Sequence, residues 1–517
     1  MTKFIEKFET ENPEANLTDK YEYPVSDVMY SVYEYDTHKL CEASDGSYHY
    51  AFNKQDCMFS RWGKTEEDDP TFCPAGPEIL DLEIASGKCS GNCPFCLPEG
   101  VPVNTPDGTI DIEKLKIGDK VLGFDFEKNS IREELVKEVH SRDFDGLMVV
   151  VEMENGKIVE LTEDHNVMLM NGKEVRAGDL TLEDDVVVLK MKIENIIKTP
   201  FKGKVYDIGC EPDHVFFTNG LLVHNCYKGN SANQEAVNMT FDTFKTIIDK
   251  MPKCLTQIAI GICDIDGNPD FLKMMEYSRS IGIIPNFTLS GIGLTDEMAE
   301  KVSKLSGALA VSAYETDKNI CYDTIKKFTD LGMNQVNCHI MISEETFPFV
   351  AEVLNDRMHD PRLAEMNAIV FLGVKPKGRA KGAYHPLSSE KYASLVKLCL
   401  QLGIPFGFDS CSCFAFLKSI ESLSLKEDFK KSLYEMSEPC ESTLMSAYIN
   451  TDGVFFPCSF TEGEQGWKEG VDVVGCKDFL KDVWHNRKVT EARRKIMNCR
   501  ECRESCFNFK EINVKWE

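Results

Sequence analysis

No stretch of this sequence is apolar for long enough to cross a membrane. A spanning helix needs roughly 18 consecutive apolar residues, and charged or polar residues interrupt every run before that length. The opening residues, MTKFIEKFETENPE, lack the apolar core of a secretory signal peptide. We therefore expect a cytoplasmic protein without a membrane partner.

Positive charge is also scarce. The chain has 58 Lys and Arg residues against 85 Asp and Glu residues, so its formal net charge is −27. Broad electrostatic binding of nucleic acid or of an anionic membrane requires a cationic surface. We therefore do not expect nucleic acid as a partner.

Cysteine, in contrast, is abundant. The 517 residues include 21 cysteines, and disulfides are rare in the cytosol. These thiols are expected to be reduced, to bind metal or to take part in catalysis. The length allows roughly three domains of about 150 residues each.

Apolar strands alternate with helical segments over most of the chain. Thr240 is a predicted N-cap for a helix with one apolar face. Near-continuously apolar strands followed by helices indicate an α/β fold with a parallel sheet. Six units predict an open (β/α)6 arc rather than a closed eight-stranded barrel. The predicted strands cover residues 79–87, 255–262, 283–291, 308–314, 335–343 and 367–374.

Residues 96–225 interrupt this alternation. They have almost no helical period and read as short strands separated by Asp-Gly, Asn-Gly and Lys-Gly turns. An all-β block of 130 residues is thus predicted inside the loop after the first strand, where insertions are tolerated.

Five motifs occur in a fixed order in this block. They are CLPEGVPVNTPDG from Cys96, TEDH at 162–165, VYDIG at 205–209, DHVFFTNG at 213–220, and HN immediately before Cys226. Together they resemble the inteins, self-excising proteins of the Hint fold, over the whole block. Only about 40 residues separate TEDH from VYDIG, too few for a homing endonuclease, so the resemblance is to a mini-intein. A Hedgehog-like Hint module is disfavoured because the chain continues for about 290 residues after Cys226.

The resemblance implies a role for each motif residue. Cys96 would attack the carbonyl of Phe95 to form a thioester. Thr162 and His165 would strain that amide and protonate its nitrogen, and Cys226 would accept the acyl group. The other implied catalytic residues are Asp207, which tunes this transfer, Asn225, which cyclises, and His214 and His224, which assist the cyclisation.

Removal of the block joins Phe95 to Cys226. The junction CSGNCPF–CYKGN contains C-x3-C-x2-C, formed by Cys89, Cys93 and Cys226 after the first strand. This resembles the radical S-adenosylmethionine (SAM) superfamily. The resemblance implies a 4Fe–4S cluster on three thiolates, SAM at the open iron, a 5′-deoxyadenosyl radical, and an electron donor such as flavodoxin or ferredoxin. A zinc knuckle is the alternative.

The same resemblance implies residues that contact SAM. Phe95 would lie near the adenine. GICDIDGNPD (261–270) stands where the family has a Gly-Gly-Glu-Pro-like segment, and FLGVKPKGRA (371–380) either contacts a carboxylate or is a solvated basic loop. The further candidates are Gly261, Asp264, Asp266, Ser312, Tyr314, Lys375 and Arg379.

The C-terminal part is rich in cysteine. Cys440 and Cys458 form C-x12-G-x4-C, and CRECRESC contains C-x2-C-x3-C. This resembles a shortened SPASM or twitch extension, which implies an auxiliary Fe–S cluster, with zinc as the alternative. The candidate ligands are Cys411, Cys440, Cys458, Cys499, Cys502 and Cys506.

These resemblances divide the chain into five segments. They are an N-terminal extension (1–78), the first part of the radical SAM core (79–95), the intein (96–225), the second part of the core (226–405) and the auxiliary domain (406–517). The expected function is a self-splicing precursor of an enzyme that modifies a peptide or protein. A nucleotide- or tRNA-modifying enzyme and a non-catalytic Fe–S or zinc protein are the alternatives.

The unspliced chain also contains C-x3-C-x2-C within CSGNCPFC (89–96). One hypothesis is that Cys96 binds iron before splicing and that iron slows the splicing reaction, because a metal-bound thiolate is a poor nucleophile. The alternative is that the copy is automatic, because an intein of this type must both begin with cysteine and be followed by one.

Overall fold

The computed structural model describes most of the chain. The described residues are 3–65, 68, 70–87, 96–126, 128–163, 165–172, 174–189, 192–211, 215–224, 237–262, 264–315, 317–375, 384–435, 437, 439–463 and 466–501. No helix in these ranges is long and apolar enough to cross a membrane.

The N-terminal segment is a helix followed by an antiparallel meander. The sequences MYSVYEYD and SYHYAFN, whose alternation predicts strands of an added sheet, form the second and fourth strands of its five-stranded sheet. The elements are α1 (Lys3–Glu11), β1 (Leu17–Val25), β2 (Val28–Tyr35), β3 (His38–Ala43), β4 (His49–Asn53) and β5 (Phe59–Trp62).

Residues 96–225 contain strands and, where described, only short 3-10 turns as helical structure. Strands β6 (Ile79–Glu83) and β7 (Ala85–Ser86) precede them. The strands of the block are β8 (Leu97–Pro98), β9 (Pro102–Thr105), β10 (Gly108–Asp111), β11 (Lys120–Asp125), β12 (Ser130–Met153), β13 (Ile158–Thr162), β14 (Asn166–Met168), β15 (Glu174–Arg176), β16 (Ile193–Glu211), β17 (Val215–Thr218) and β18 (Leu221–His224).

Two of these strands are much longer than predicted. β12 has 24 residues and β16 has 19, and they pair antiparallel along almost their whole length. The predicted Asp-Gly turn at Asp145-Gly146 is wrong, because these residues pair with Lys202 and Phe201 of β16. Lys202 also forms an ion pair with Asp145. Cross-strand pairing therefore overrides the local turn preference of Asp145-Gly146 and of the facing Lys202-Gly203.

After the block, strands and helices alternate as predicted. The helix after Thr240 is confirmed, and the Thr240 hydroxyl accepts a hydrogen bond from the N–H of Thr243 at 3.1 Å. The elements are β19 (Val237–Asn238), α2 (Phe241–Lys250), β20 (Gln257–Gly261), α3 (Phe271–Ser280), β21 (Ile284–Leu289), α4 (Asp296–Leu305), β22 (Leu309–Ser312), α5 (Lys318–Asp330), β23 (Val336–Ile342), α6 (Phe347–His359), β24 (Ala368–Gly373), α7 (Ser389–Leu402), β25 (Phe406–Phe408), α8 (Cys413–Ser422), α9 (Glu427–Glu435), β26 (Ser446–Ile449), β27 (Val454–Phe456), β28 (Val471–Asp472) and α10 (Arg487–Glu501).

The main sheet has ten strands in the order β25-β24-β23-β22-β21-β20-β6-β26-β27-β28. All neighbours from β25 to β26 are parallel, and β6 with β20 to β25 follows chain order. The six predicted strands are all present. The three-residue β25 was missed, and β26 to β28 extend this same sheet.

The prediction of near-continuously apolar strands is wrong for several strands of the sheet. Burial alternates residue by residue in β20, β23 and β24. One set of side chains packs into the apolar core with the helices, while alternate residues of β20 and β23 line a cavity. This two-sided pattern creates a candidate site on one face of a parallel sheet.

The N-terminal sheet covers the amino ends of the parallel strands. Tyr50 donates a hydrogen bond to the carbonyl of Cys254 at 2.9 Å, and Lys39 donates to the carbonyl of Leu255 at 2.6 Å, just before β20. Arg61 pairs with Glu78, which precedes β6, at 2.9 Å. The described residues before β6 thus pack against the chain that leads into β6 and β20.

Candidate functional site

The first candidate site lies where the inserted block begins. The N–H of Cys96 donates a hydrogen bond to Oγ1 of Thr162 at 2.8 Å, and the N–H of Thr162 donates to the carbonyl of Cys96 at 2.9 Å. The nitrogen of Cys96 belongs to the Phe95–Cys96 peptide bond, which the resemblance marks for cleavage. The structure thus places Thr162 on the nitrogen of the bond that the resemblance marks for cleavage.

A backbone hydrogen bond holds His165 close to Thr162. Its N–H donates to the carbonyl of Thr162 at 2.9 Å, and its carbonyl accepts from the N–H of Ala177 at 2.7 Å. Cys96, Thr162 and His165 are all buried, with exposed fractions of 5%, 0% and 0%. The backbone hydrogen bonds thus link Cys96 to Thr162 and Thr162 to His165.

Asp207 reaches this place from β16. Tyr206 pairs with Leu97 and Val205 with Pro98, so Asp207 directly follows the residues that pair with β8, the strand that begins after Cys96. Asp207 is buried, and Cys96 packs with Met148 and Val205 in a small apolar cluster. The predicted residues thus meet in a closed interior rather than in an open cleft.

The end of the block returns to the same loop. In β18, His224 pairs with Asn166, the residue after His165, and with Val215 of β17. Both ends of the block are therefore brought to the segment 162–166. His214, Asn225, Cys226 and Phe95, and the side chain of His224, lie outside the described part of the chain.

The host chain leaves and returns at one place. Ser86 of β7 pairs with Val237 of β19, and Ala85 pairs with Asn238. Asn268 ties the two sides together by donating to the carbonyls of Ile84 at 2.8 Å and Met239 at 3.0 Å. The predicted cluster ligands lie between these paired ends, outside the described residues, and are Cys89, Cys93 and Cys226.

The second candidate site is a cavity of about 540 Å³ on the inner face of the host sheet. The register sets Asp81 beside Ala259 and Glu83 beside Gly261, so small residues of β20 leave space next to two carboxylates. Sequence reasoning missed these lining residues because it read the strands as apolar. A period of two in ILDLE, IPNFTL and VNCHIMI was the available signal. The polar lining residues are Asp81, Glu83, Asn286, Thr288, Asn337, His339, Tyr448 and Ser459.

The surrounding protein shifts the ionisation of three cavity residues. Burial raises the pKa of Asp81 to about 6 and lowers the pKa of His339 to about 4. Tyr448 donates a hydrogen bond to Glu83 at 2.8 Å and its hydroxyl lies 3.1 Å from Glu462. Burial, with these two carboxylates, raises the pKa of the Tyr448 hydroxyl. At neutral pH the imidazole is uncharged, and the fixed charge of the cavity is negative.

The predicted SAM contacts are dispersed. Gly261 lines the cavity, and Ser312 ends the strand β22. Asp264 is buried in the turn after β20, Asp266 is exposed in that turn, and Tyr314 is 46% exposed.

The basic loop after β24 is only partly described. Lys375 pairs with Asp409, so at this residue the interpretation as a solvated basic loop is wrong. Arg379 lies outside the described residues.

The predicted auxiliary ligands occupy two places. Cys440 precedes β26 and Cys458 follows β27, and the Ser442 hydroxyl bonds the carbonyl of Pro457 between them. Cys411 lies in the 3-10 turn before α8. Across the described ranges, no three His, Cys, Asp or Glu side chains are grouped as a metal site. The side chain of Cys499, together with Cys502 and Cys506, falls outside those ranges.

The position of Cys96 bears on its hypothesised role in iron binding. Its residue is 5% exposed and packs inside the block, with its backbone bonded to Thr162. Ligation of iron together with Cys89 and Cys93 would require Cys96 to leave this interior. The described conformation favours the alternative, in which the repeated cysteine follows from splicing chemistry.

Solved inteins are similar to about a quarter of the chain. A DnaB intein from Synechocystis sp. PCC 6803 has 16% sequence identity and a TM-score of 0.24, over 25% of this chain and 97% of the intein. A bacterial intein-like domain from Clostridium thermocellum has 24% identity and a TM-score of 0.23, over 26% and 100%. The gp41-1 intein has 24% identity and a TM-score of 0.22, over 25% and 98%. No protein-family model matches the sequence, and no curated protein is similar to it.

Proposed function

We propose that residues 96–225 form a self-splicing intein. The observation that carries this proposal is the hydrogen bond from the N–H of Cys96 to Oγ1 of Thr162. This bond engages the nitrogen that departs when the Phe95–Cys96 amide is broken. The turn that holds His165 next to Thr162 brings a titratable ring to the same loop.

The chemistry conserves atoms and needs no oxidant or reductant. The thiol of Cys96 gives up its proton and attacks the carbonyl carbon of Phe95, the amide C–N bond breaks, and the nitrogen takes a proton from His165, which the thiol proton replaces. The thiol of Cys226 then displaces that of Cys96 from the thioester. The side-chain nitrogen of Asn225 attacks its own backbone carbonyl, which breaks the Asn225–Cys226 bond and leaves a succinimide. The freed amine of Cys226 finally displaces its own thiol to form the amide.

Intact mass after expression tests the splicing proposal. The parent chain should yield a 387-residue host and a 130-residue excised block. The double variant Cys96→Ala, Asn225→Ala should yield only the 517-residue precursor. Ligated host in the double variant would refute the proposal.

We propose further that the spliced host is a radical SAM enzyme that modifies a peptide or protein. The support is the run of parallel strands in chain order, the cysteine-rich loop after its first strand, and the polar cavity on the inner face. The cavity volume lies within the roughly 300–1,000 Å³ typical of small-molecule sites. Cys89, Cys93 and Cys226 would hold the 4Fe–4S cluster, which when bound and reduced supplies the electron that cleaves SAM.

The chain's own contribution is to shape the ligand site. Gly261 lets β20 lie close to β6 at this edge of the cavity, because a Cβ at this position would lie 3.2 Å from the Cα of Glu83. Tyr448 fixes the carboxylate of Glu83 by its hydrogen bond. An auxiliary Fe–S cluster would be held in part by Cys440 and Cys458, which lie before and after the β26–β27 hairpin. The other proposed ligands are Cys411, Cys499, Cys502 and Cys506.

Reductive cleavage of SAM tests the proposal for the host. Spliced host, reconstituted anaerobically with iron and sulfide and reduced with dithionite, should form 5′-deoxyadenosine, measured by chromatography. The variant with alanine at positions 89, 93 and 226, produced from a gene that lacks the insert, should form none. Equal product from this variant, or a parent host that holds zinc and leaves SAM intact, would refute the proposal.

A further inference from the structure

The host cavity has unpartnered polar groups. The side chains of Asp81 and His339 face it and make no hydrogen bond or ion pair with any residue in the described ranges. Side chains that converge on a space of this size without protein partners are typical of a ligand site. We therefore regard this cavity as a candidate ligand site and not only as a cluster of acidic residues.

The charge of the cavity selects the kind of ligand. Two carboxylates, Asp81 and Glu83, line it, and Glu462 lies behind Tyr448. No lysine or arginine of the described residues lines it. Lys375, on the loop after β24, is paired with Asp409. A phosphate or carboxylate in this space would face uncompensated negative charge, whereas a cation would be attracted.

We propose that this cavity binds a cationic side chain of the peptide substrate, an ammonium or guanidinium group, with Asp81 as its anchor. Asp81 supplies an acceptor without a competing protein donor, and Glu83, fixed by Tyr448, adds a second negative charge. The inference rests on the proposed function for the reaction that follows, whereas the binding step itself needs neither SAM nor iron.

The test compares small probes on the spliced host as isolated, without SAM or iron. The probes are the N-acetyl, N-methylamide derivatives of lysine, arginine, norleucine and glutamate, with dissociation constants measured by titration NMR. Lysine and arginine should bind at least about tenfold tighter than norleucine, which corresponds to about 1.4 kcal/mol. Asp81→Asn should abolish that preference. Asp296→Asn, an equal change of charge on the exposed first turn of α4, should retain it.

Equal binding of lysine and norleucine, or an unchanged preference in Asp81→Asn, overturns the inference. Circular dichroism confirms that each variant is folded, and Glu83→Gln provides a second variant that should weaken the preference. A host that cleaves SAM but shows no preference for cations overturns only this inference. A host that shows the preference but never cleaves SAM overturns only the proposed reaction.

Discussion

The inserted block and the host place their polar residues in opposite ways. In the block, Cys96, Thr162, His165 and Asp207 are buried at the meeting point of several strands. In the host, Asp81 and His339 face a cavity of about 540 Å³. A reaction on the chain's own backbone needs no entrance, whereas a reaction on a separate molecule does. The difference therefore agrees with one intramolecular and one intermolecular reaction.

The two regions also have separate apolar cores. One large cluster contains host residues from both sides of the insertion, such as Leu82 and Ile258. Three smaller clusters contain only residues of the block, such as Phe216 and Val223. Each region should therefore depend on its own packing.

The largest expected effect is on the rate of splicing. His165→Ala should slow splicing by about 100- to 10,000-fold, the range typical of losing a positioned proton donor. The time course of precursor and product on denaturing gels measures it. His38→Ala, which changes a histidine of the N-terminal sheet, is the control and should splice like the parent. Parent-like splicing of His165→Ala would break the assignment of the closed site.

The next effect is on stability and tests whether the cores are independent. Phe216→Ala removes a fully buried ring of the block and should cost about 3–5 kcal/mol. Calorimetry of the splice-blocked precursor should show a lower melting temperature for the block only. Phe244→Ala, a fully buried ring of α2, is the matched variant and should lower only the host transition. A joint shift of both transitions would contradict separate cores.

A smaller effect is expected at the junction. Asn268→Ala removes the donor to the carbonyls of Ile84 and Met239 and should cost about 1–3 kcal/mol. Urea unfolding should give the same loss in the spliced host and in the splice-blocked precursor, because the contact lies within the host. Asn355→Ala, at an exposed position of α6, should change little. A loss seen only in the precursor would mean that the insert supports the junction.

The pH dependence of host stability should reveal the cavity. The folded state raises the pKa of Asp81 from 3.8 to about 6, so between these values it binds a proton that the unfolded chain releases, and stability falls as pH rises. The folded state lowers the pKa of His339 from 6.5 to about 4, so stability rises with pH in that window. Asp81→Asn and His339→Gln should therefore change the slope of unfolding free energy against pH in opposite directions. Urea midpoints from pH 4 to 6.5 measure this, and changes of the same sign would contradict the placement of either residue.

The last prediction is that iron does not change the rate of splicing. Because Cys96 is buried within the block, iron and sulfide should leave the anaerobic splicing rate unchanged. Cys89→Ala and Cys93→Ala should behave like the parent. Slower splicing with iron, lost in these two variants, would restore the hypothesis that Cys96 binds the metal.

The sequence predicted the parts of the fold that depend on local pattern. The six parallel strands and the helix after Thr240 follow from apolar runs and a capping residue. It did not predict the long pair β12–β16, because Asp145-Gly146 favours a turn until a partner strand is present. Long-range pairing of this kind leaves no local signal.

The two candidate sites also differ in how well the sequence predicts them. Cys96, Thr162 and His165 were found because ordered motifs carry them, and the structure places them in one loop region. The cavity was missed because its polar residues come from four separate strands and from the turn after β27, with one or two polar positions on each. Only the assembled sheet shows that these positions share a face.

The short ladder of Ala85–Ser86 with Val237–Asn238 has a consequence in chain entropy. It closes a loop of 150 residues before excision and 20 afterwards. If the whole loop were flexible, shortening it in this ratio would lower the closure cost by about 2 kcal/mol. The folded block spans most of that loop with its ends together, so the actual gain is smaller. If the block is excised as proposed, the same ladder can hold the host closed before and after excision.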